Sequence, residues 1–502
     1  MKFAIQFAQT AKLGMLFGSD ETSKGRKSMV DGIELAIQGG KVVTPQGVIE
    51  GDIAIANGTI VSVGKPITNA KERISANGKW VMPGGVDPHA HIEQMSGMGL
   101  WNADTFETAT KSAALGGTTS VISFAAQASG QTLSETVTDY VARASRGAMI
   151  DYAFHITLTD TEVANFEDDL ASLISAGHRS VKVFTTYNIQ LNDSQLLRIF
   201  RLARQSGALV CVHAENDAII AQAKQDLISK GRTSPADHAP SRPRMAEIEA
   251  VERICRFAEY IDQPVMLFHI STLEGAAVVK AAQARGAPVW AETCPHYLFM
   301  TERALDKPGL EGAKWMCSPP QRTPLDQDAL WAALDDGSIS LISSDHAPYR
   351  FDETGKLSAG PNPGFHEIAN GLPGLETRLP LLFDAIVTKN RGGPEAFVEM
   401  TSTAPARIYG LTNKGSIAEG MDADIVVWNP TKTVSYGADD LHDNAGYNPW
   451  ENYSVTGWPE QVFLRGQCLV KDSAFFGKPG DGRWIDRPEL ATKLRKRGDH
   501  AR

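Results

Sequence analysis

The chain has 502 residues, of which 42% are hydrophobic and 22% charged, and its formal net charge is -10 at pH 7. This composition is that of a globular protein long enough for one large domain and a smaller one. The acidic balance argues against a nucleic-acid partner. No apolar run approaches the roughly 20 residues of a membrane span, so no membrane partner is expected either.

Residues 1–30 are predicted to be an N-terminal extension, because polar side chains interrupt every apolar run that a secretory signal would need. Residues 488–502 are predicted to be a C-terminal tail. The cysteines are odd in number and show no Cys-x-x-Cys spacing, which indicates reduced thiols in a cytoplasmic protein. They are Cys211, Cys255, Cys294, Cys317 and Cys468.

Both ends of the remaining chain read as β-structure. Apolar residues alternate from Ile33 to Ile37, and Asn57-Gly58 is a type I′ hairpin signal. A second β-rich block contains Asp424–Trp428 and Gln461–Leu464. We therefore predict one small β-sandwich domain built from residues 31–79 and 413–487.

Residues 80–412 alternate between strand-like and helix-like segments. The strand-like runs are apolar throughout, as expected for parallel strands buried on both faces. Eight of them are predicted, at Trp80–Val86, Thr118–Phe124, Tyr152–Thr157, Val181–Phe184, Leu209–Val212, Val265–Phe268, Val289–Trp290 and Ile339–Ile342. The helix-like segments include Phe106–Leu115, Asp193–Gln205, Ala218–Ser229, Met245–Tyr260, Leu273–Arg285 and Gln327–Asp335.

This alternation predicts an α/β fold, a (β/α)8 TIM-like barrel. The alternative is an open, doubly wound sheet. No G-x-G-x-x-G follows the first strand, so a dinucleotide cofactor has no support in the sequence.

Ionisable residues stand where the predicted barrel strands end, which is where such barrels carry their active sites. His89 and His91 are separated by one residue and therefore share one face of an extended strand. An isolated pair of histidines at this spacing is also common where a strand simply leads into a loop and no metal is bound. Four further strand ends carry side chains of the same kind, namely Lys182 with Tyr187, His213, His269 and Asp345. Together they predict a metal site.

Four histidines and Asp345 are more ligands than one open catalytic zinc needs, so two ions are the better count. A bridging ligand is then required, and Lys182 as an ammonium would repel both ions. A neutral lysine among Val181, Val183 and Phe184 could take up carbon dioxide and form a carbamate, an anionic ligand with two oxygens. The alternative is a salt-bridged or snorkelling lysine at a strand end.

Several motifs of the chain resemble the dihydropyrimidinase/hydantoinase branch of the amidohydrolase superfamily. The resemblance extends from about Ile33 to about Gly480. The motifs are Gly84–His91, Ala103–Thr108, Gly116–Thr119, Val181–Tyr187, Glu292–Pro295, Glu311–Pro320, Ser344–His346, Ala369–Gly374 and Gly420–Asp424.

The resemblance implies a binuclear centre with two divalent ions, zinc (Zn²⁺) being the first expectation. His89, His91, carboxylated Lys182 (N6-carboxylysine) and Asp345 would hold the more buried ion. The same carbamate, His213 and His269 would hold the more exposed one.

The resemblance also implies the roles of four residues. A bridging hydroxide would attack the ring, and Asp345 would pass its proton to the leaving nitrogen. The Tyr187 phenol would hydrogen-bond the developing oxyanion, and main-chain groups of Ser318 and Asn370 would hold the cyclic amide edge.

The implied activity is hydrolysis of a hydantoin or dihydropyrimidine to an N-carbamoyl amino acid, by a homotetramer. Glu93 stands where dihydroorotases have an arginine, which argues against that activity. His296 stands where allantoinases have histidine and hydantoinases often have glutamine, so allantoin-like ureides and other cyclic imides stay open. A non-catalytic scaffold relative is disfavoured because every ligand position is intact.

The loop Met95–Trp101 is apolar and contains glycines that can act as hinges. We predict that it either packs against the barrel without a further role or forms a wall for the substrate's exocyclic group.

Overall fold

The computed structural model describes residues 32–488, which form two β-sheets and the helices around them. The strands are β1 Leu35–Thr44, β2 Gly47–Ala56, β3 Thr59–Val63, β4 Glu72–Ser75, β5 Trp80–Pro83, β6 Gly85–Ala90, β7 Thr118–Ala126, β8 Asp151–Thr157, β9 Ser180–Phe184, β10 Leu209–His213, β11 Val265–Leu267, β12 Val289–Thr293, β13 Leu341–Ile342, β14 Ile425–Ser435, β15 Ser454–Leu464, β16 Gln467–Lys471 and β17 Ala474–Phe475.

The α-helices are α1 Phe106–Leu115, α2 Leu133–Gly147, α3 Phe166–Ser175, α4 Asp193–Ser206, α5 Asp217–Ser229, α6 His238–Ser241, α7 Arg244–Ile261, α8 Leu273–Ala284, α9 Pro295–Phe299, α10 Pro324–Asp335, α11 Arg378–Phe383, α12 Gly393–Val398 and α13 Ala404–Tyr409. Short 3-10 turns span Pro235–Asp237, Glu302–Leu305, Glu311–Trp315 and Phe365–Glu367, and π turns span Asp384–Thr388 and Glu399–Thr403.

The smaller unit is a nine-stranded mixed sheet in the order β17-β16-β15-β14-β5-β1-β2-β3, with β4 added beside β1. It is built from both chain ends, as predicted. The predicted hairpin joins β2 to β3, with φ of 51° at Asn57 and 75° at Gly58. Two positive φ angles are what a type I′ turn requires.

The larger unit is an eight-stranded sheet whose strands follow chain order from β6 to β13, and all of its pairings are parallel. A parallel bridge from Ala90 to His346 joins its first strand to the chain just beyond its last. The Arg378 guanidinium donates hydrogen bonds to Val86 O at 3.1 Å and Ile342 O at 3.0 Å across the same seam. These contacts close the predicted (β/α)8 barrel.

The predicted strand Trp80–Val86 is wrong as a single strand, because the structure divides it between the two sheets. β5 pairs with β1 and β14, whereas the first barrel strand begins at Gly85. The change occurs at Gly84, whose N–H donates to Asp424 O while the N–H of Gly85 donates to Gly117 O. A Cβ at Gly84 would collide with the Thr119 side chain, so this crossing needs glycine.

The end of the described chain covers the barrel at the N-terminal ends of its strands. Trp484 bridges to Tyr152, and the buried Arg487 donates to Phe154 O and Ser180 Oγ. The active-site end of the barrel is therefore the opposite one. None of the helices in residues 32–488 has the length and apolar character that a membrane span needs. The predicted N-terminal extension and residues 489–502 of the predicted tail lie outside the described residues.

Candidate active site

The site residues predicted from the sequence lie together at the C-terminal ends of the barrel strands, around a cavity of about 530 Å³. His89, Lys182 and His213 belong to barrel strands. Four others lie within three residues of the end of a barrel strand, namely His91, Tyr187, His269 and Asp345. Ser318 and Asn370 lie in loops that follow 3-10 turns. All of them line the cavity, namely His89, His91, Lys182, Tyr187, His213, His269, Ser318, Asp345 and Asn370.

Three of the four histidines have one ring nitrogen bonded to a side chain behind them. Such bonds fix the tautomer and leave the other nitrogen as a lone-pair donor. The bonds run from His89 Nδ1 to the Glu292 carboxylate, from His91 Nδ1 to Gln94 Oε1 at 2.7 Å, and from His213 Nε2 to Glu215 Oε2 at 2.8 Å.

The free nitrogens of His89 and His91 both face Asp345. His89 Nε2 lies 3.0 Å and His91 Nε2 lies 3.5 Å from the same Asp345 oxygen, Oδ1. Potential ligand atoms of His89, His269 and Asp345 all lie within 4.8 Å of one another. His269 Nδ1 is buried and has no hydrogen-bond partner among residues 32–488, and the His213 and His269 ring centroids are 4.5 Å apart. Imidazoles and a carboxylate in this arrangement suit a divalent metal ion.

Two of these residues adopt left-handed backbone conformations, with φ of 41° at His269 and 47° at Asp345. Residues with a Cβ rarely adopt such angles, and they persist where the surrounding structure enforces them. Here both residues directly follow the ends of barrel strands. The conformation turns the chain out of the strand while the side chain stays in the cavity.

Burial and the nearby carboxylates act differently on the histidines of the site. Burial by itself would lower the pKa of His89, but the carboxylates of Asp345 and Glu292 raise it to about 9. Burial lowers the pKa of His213 to about 4 and that of His269 well below its usual range. The last two imidazoles are therefore neutral at pH 7, which is the form that binds a metal ion.

Lys182 is fully buried in β9, below the cavity floor. Its Nζ lies 3.9 Å from the Phe268 ring centroid and 4.7 Å from that of Phe184. Burial lowers the pKa of Lys182 to about 7. It has no ion pair within residues 32–488, so the alternative of a salt-bridged lysine finds no support.

Polar groups without partners lie on the substrate side of the cavity. Ser318 Oγ and Asn370 Oδ1 are buried next to the Tyr187 phenol, and neither makes a hydrogen bond of normal geometry within residues 32–488. Burial raises the pKa of the Tyr187 phenol, which is therefore protonated at neutral pH. The Arg242 guanidinium lies 4.9 Å from the Tyr187 ring centroid. Unpaired polar atoms facing a cavity are what a bound polar ring would satisfy.

A fully buried lysine joins the two segments that carry Ser318 and Asn370. Lys356 Nζ donates to Ala369 O at 2.9 Å and to Met316 O at 3.3 Å. The N–H of Gly371 also donates to Met316 O, at 2.8 Å. These bonds fix the spacing between the two segments.

Sequence reasoning missed the carboxylates behind the histidines. Glu215 is fully buried, accepts from His213, and receives Arg242 Nη2 at 2.6 Å. Although burial opposes it, Arg242 holds the pKa of the Glu215 carboxyl well below its usual range. Two signals were available. Glu215 follows His213 at the same two-residue spacing that separates His89 and His91. Glu292 lies one residue before the end of β12, a barrel strand for which no ligand was predicted.

Three other histidines have positions of different kinds. His155 lies inside the barrel and bonds to Pro88 O and Ser180 Oγ. His346 is buried and bonds to Asp104. His296 is buried in α9 beside Tyr297.

The loop Met95–Trp101 forms part of the cavity wall through Ser96, Gly97 and Met98. A bridge between Met95 and Trp101 closes the loop on itself. The Arg143 guanidinium lies 5.3 Å from the Trp101 ring centroid and donates to Glu93 O at 2.8 Å, anchoring the loop to α2.

Comparison with known proteins decides the family. Residues 80–469 match the Amidohydrolase family. The chain belongs to this family. It is 37% identical over 458 residues to the D-hydantoinase of Ralstonia pickettii, covering 91% of this chain and 99% of that one. It is 37% identical over 460 residues to the D-phenylhydantoinase of Escherichia coli, covering 91% and 98%.

Comparison with a solved structure also supports membership of this amidohydrolase in the family. The dihydropyrimidinase from Brevibacillus agri NCHU1002 superposes with a TM-score of 0.87 at 36% identity, covering 90% of this chain and 98% of that one. The resemblance found in the sequence is thus confirmed, as is the barrel fold. The family is metal-dependent, in keeping with the converging imidazoles and carboxylate.

Proposed function

We propose that this protein hydrolyses hydantoin or dihydropyrimidine rings to N-carbamoyl amino acids. The observation that carries the proposal is the cavity itself. It brings together the converging donors of His89, His269 and Asp345 and the unpaired polar atoms of Ser318 and Asn370. The relatives named above, a D-hydantoinase, a D-phenylhydantoinase and a dihydropyrimidinase, support the substrate class.

The proposal includes two divalent ions, zinc in the first instance, with Lys182 carboxylated to N6-carboxylysine. One ion would be held by His89, His91, Lys182 and Asp345, and the other by Lys182, His213 and His269. Support comes from the unpaired Nδ1 of His269 and from the buried, unpaired amine of Lys182. When bound, such a pair of ions supplies a water of lowered pKa and polarises the ring carbonyl.

The side chains of the chain itself have distinct roles in this proposal. Asp345 accepts the proton of the attacking water on its carboxylate and delivers it to the ring nitrogen as the C–N bond breaks. Tyr187, which is protonated, donates a hydrogen bond to the carbonyl oxygen as negative charge develops there. Ser318 and Asn370 hold the amide edge of the ring and so orient the carbonyl towards Asp345.

A substrate panel tests the proposal. Zinc- and cobalt-loaded protein is assayed against hydantoins, dihydropyrimidines, allantoin and cyclic imides, with chiral analysis of the products and metal analysis of the protein. We expect stoichiometric metal and ring opening of hydantoins or dihydropyrimidines. If only allantoin or cyclic imides were hydrolysed, they would replace hydantoins and dihydropyrimidines as the proposed substrates. Absence of metal and of all turnover would instead favour a scaffold protein.

The assembly and location of the protein are also proposals. We infer a cytoplasmic homotetramer. Support for the location comes from the cysteines, all of which are free thiols. Light scattering of the purified protein tests the tetramer, and a monomeric mass would contradict it.

A further inference from the structure

The outer part of the cavity is lined by one face of helix α5. Asp217, Ile220, Ala221 and Lys224 all line the cavity, and their spacing of three, four and seven residues places them on one side of the helix. Met98 of the loop after the histidine pair lines the same cavity. On this face of α5 the residues between the two charged ends, Ile220 and Ala221, are apolar.

Those two charged ends differ in how they are paired. The Asp217 carboxylate accepts hydrogen bonds from Thr186 Oγ1 at 2.9 Å, from the Tyr187 N–H at 3.2 Å and from Gln190 Nε2 at 2.9 Å. Lys224 is partly buried, and its ammonium has no hydrogen bond or ion pair within residues 32–488. The wall therefore holds one cation with no anion of residues 32–488 in contact, and only the more distant Asp217 charge offsets it in part.

The other cation of this wall cannot take the same role. Arg242 is bound through three hydrogen bonds to Glu215, so its charge is already compensated. Burial, and then the Arg242 charge, lower the pKa of Lys224 below its usual value. An anion bound beside Lys224 would stabilise the charged amine and so raise its pKa again.

Lys224 lies too far along the helix to act on the reacting bond. Asp217 contacts the backbone of Tyr187, and Lys224 is seven residues further on, a rise of about 10 Å. A group bound by Lys224 is thus at the far end of a ring substituent. The body of that substituent would lie against Ile220 and Met98.

We propose that Lys224 selects cyclic amides whose ring substituent ends in a carboxylate. This inference rests on the proposed function and narrows its substrate class. The carboxylate pairs with Lys224, and the hydrolysed product is an N-carbamoyl derivative of an acidic amino acid. Lys224 is a specificity-determining residue and takes no part in bond cleavage.

Pairs of substrates of equal size test this proposal. The first pair is 5-(2-carboxyethyl)hydantoin and its primary amide, and the second is 5-(4-carboxyphenyl)hydantoin and its primary amide. We expect at least one acid to exceed its amide about ten-fold in kcat/KM at low ionic strength, and the ratio to fall as salt is added. Ratios near one in both pairs would overturn the proposal while leaving ring hydrolysis intact.

Variants assign the preference to one side chain. Lys224→Met should bring the acid-to-amide ratio close to one, Lys224→Glu should invert it, and Lys224→Arg should keep it. The matched control is Lys230→Met, on the exposed end of the same helix, which should keep the wild-type ratio. A preference that survives in Lys224→Met would show that another group binds the carboxylate.

A binding measurement separates this inference from the proposed function. Calorimetry compares N-carbamoyl-glutamate with N-carbamoyl-glutamine on the metal-loaded wild-type protein and on Lys224→Met. Tighter binding of the glutamate derivative to the wild type alone supports Lys224 even if no ring is opened. Equal affinities in the wild type would overturn the role of Lys224 whatever the turnover.

Discussion

His346 and Asp104 form a fully buried hydrogen-bonded pair directly behind Asp345, with His346 Nε2 3.0 Å from Asp104 Oδ2. The N–H of Gly374 donates to His346 Nδ1 at 3.1 Å, so the ring proton must be on Nε2 and is donated to Asp104. The backbone oxygen of His346 accepts from the N–H of His91 at 2.7 Å. The pair therefore holds the turn in which Asp345 has its positive φ.

Asp104→Asn should impair catalysis through the position of Asp345. Asp104 Oδ1 already accepts from Thr108 Oγ1 and from the N–H of Asn444, so a single amide oxygen cannot serve those donors and His346 together. We expect kcat to fall on the order of 10-fold with a smaller change in KM. Steady-state kinetics with metal analysis measures this. Asp168→Asn, on the surface of α3, is the control, and an unchanged kcat in a folded Asp104→Asn protein would contradict the positioning role.

Lys182→Ala should remove most of the bound metal and abolish activity. In the proposed centre the carboxylated Lys182 supplies the anionic bridge between the two ions, so its loss would leave both ligand sets incomplete. Short carboxylic acids such as acetate or propionate should restore part of the activity, because they can enter the space left by the lysine. Metal analysis and activity with added acids are the measurements.

The control for this variant is Lys65→Ala, an exposed lysine of the small sheet unit. Labelling with ¹³C-bicarbonate gives an independent readout, since the wild-type protein should show a carbamate resonance that Lys182→Ala lacks. Full activity in Lys182→Ala would rule out the carbamate bridge.

Acid should destabilise the contact of α10 with α7 and α8, which Asp326 makes through Arg244 and Leu273. Burial alone would raise the pKa of Asp326, but hydrogen bonds from Arg244, Thr323 and Leu273 hold it well below its usual range. A carboxyl whose pKa is lower in the folded state stabilises the fold above its unfolded pKa of about 4, and this contribution is lost as pH falls further.

Asp326→Asn should therefore lower the free energy of unfolding by about 1–3 kcal/mol at pH 7. Between pH 7 and pH 3 the stability of this variant should fall less than that of the wild type. Denaturant unfolding between pH 7 and pH 3 measures both effects. Asp328→Asn, exposed on the same helix, should follow the wild type. If the free energy of unfolding fell equally with pH in Asp326→Asn and in the wild type, ionisation of Asp326 would not contribute to the acid sensitivity.

The loop Met95–Trp101 should favour rings with apolar or aromatic substituents. Met98 lines the cavity, so its side chain can contact the substituent, and Met98→Ala should lower kcat/KM for 5-benzylhydantoin about five-fold. Dihydrouracil, which has no substituent, should be affected less. Met245→Ala, an exposed methionine of α7, is the control. Equal kcat/KM of the wild type for dihydrouracil and 5-benzylhydantoin would argue against the loop as a specificity wall.

Much of the fold was predictable because its signals are local. The six helices predicted from the sequence are present as α1, α4, α5, α7, α8 and α10, with ends that differ by a few residues. Strands buried on both faces are apolar throughout, and that pattern located seven of the eight barrel strands. The error at Trp80–Val86 arose because one apolar run serves two sheets, and only packing against Thr119 reveals the crossing at Gly84. The domain bounds at residues 79, 80, 412 and 413 stay a prediction.

The sequence by itself determined which ionisable residues stand at the ends of barrel strands, because strand period and chain order are local properties. His89, His91, Lys182, His213, His269 and Asp345 could be named from it. Only the tertiary structure decided how these side chains are oriented. Glu292 bonds to His89 across 203 residues of chain, and Asp104 bonds to His346 across 242. Such pairs form when the barrel closes and buries polar groups that lie far apart in the chain against one another, which no local pattern records.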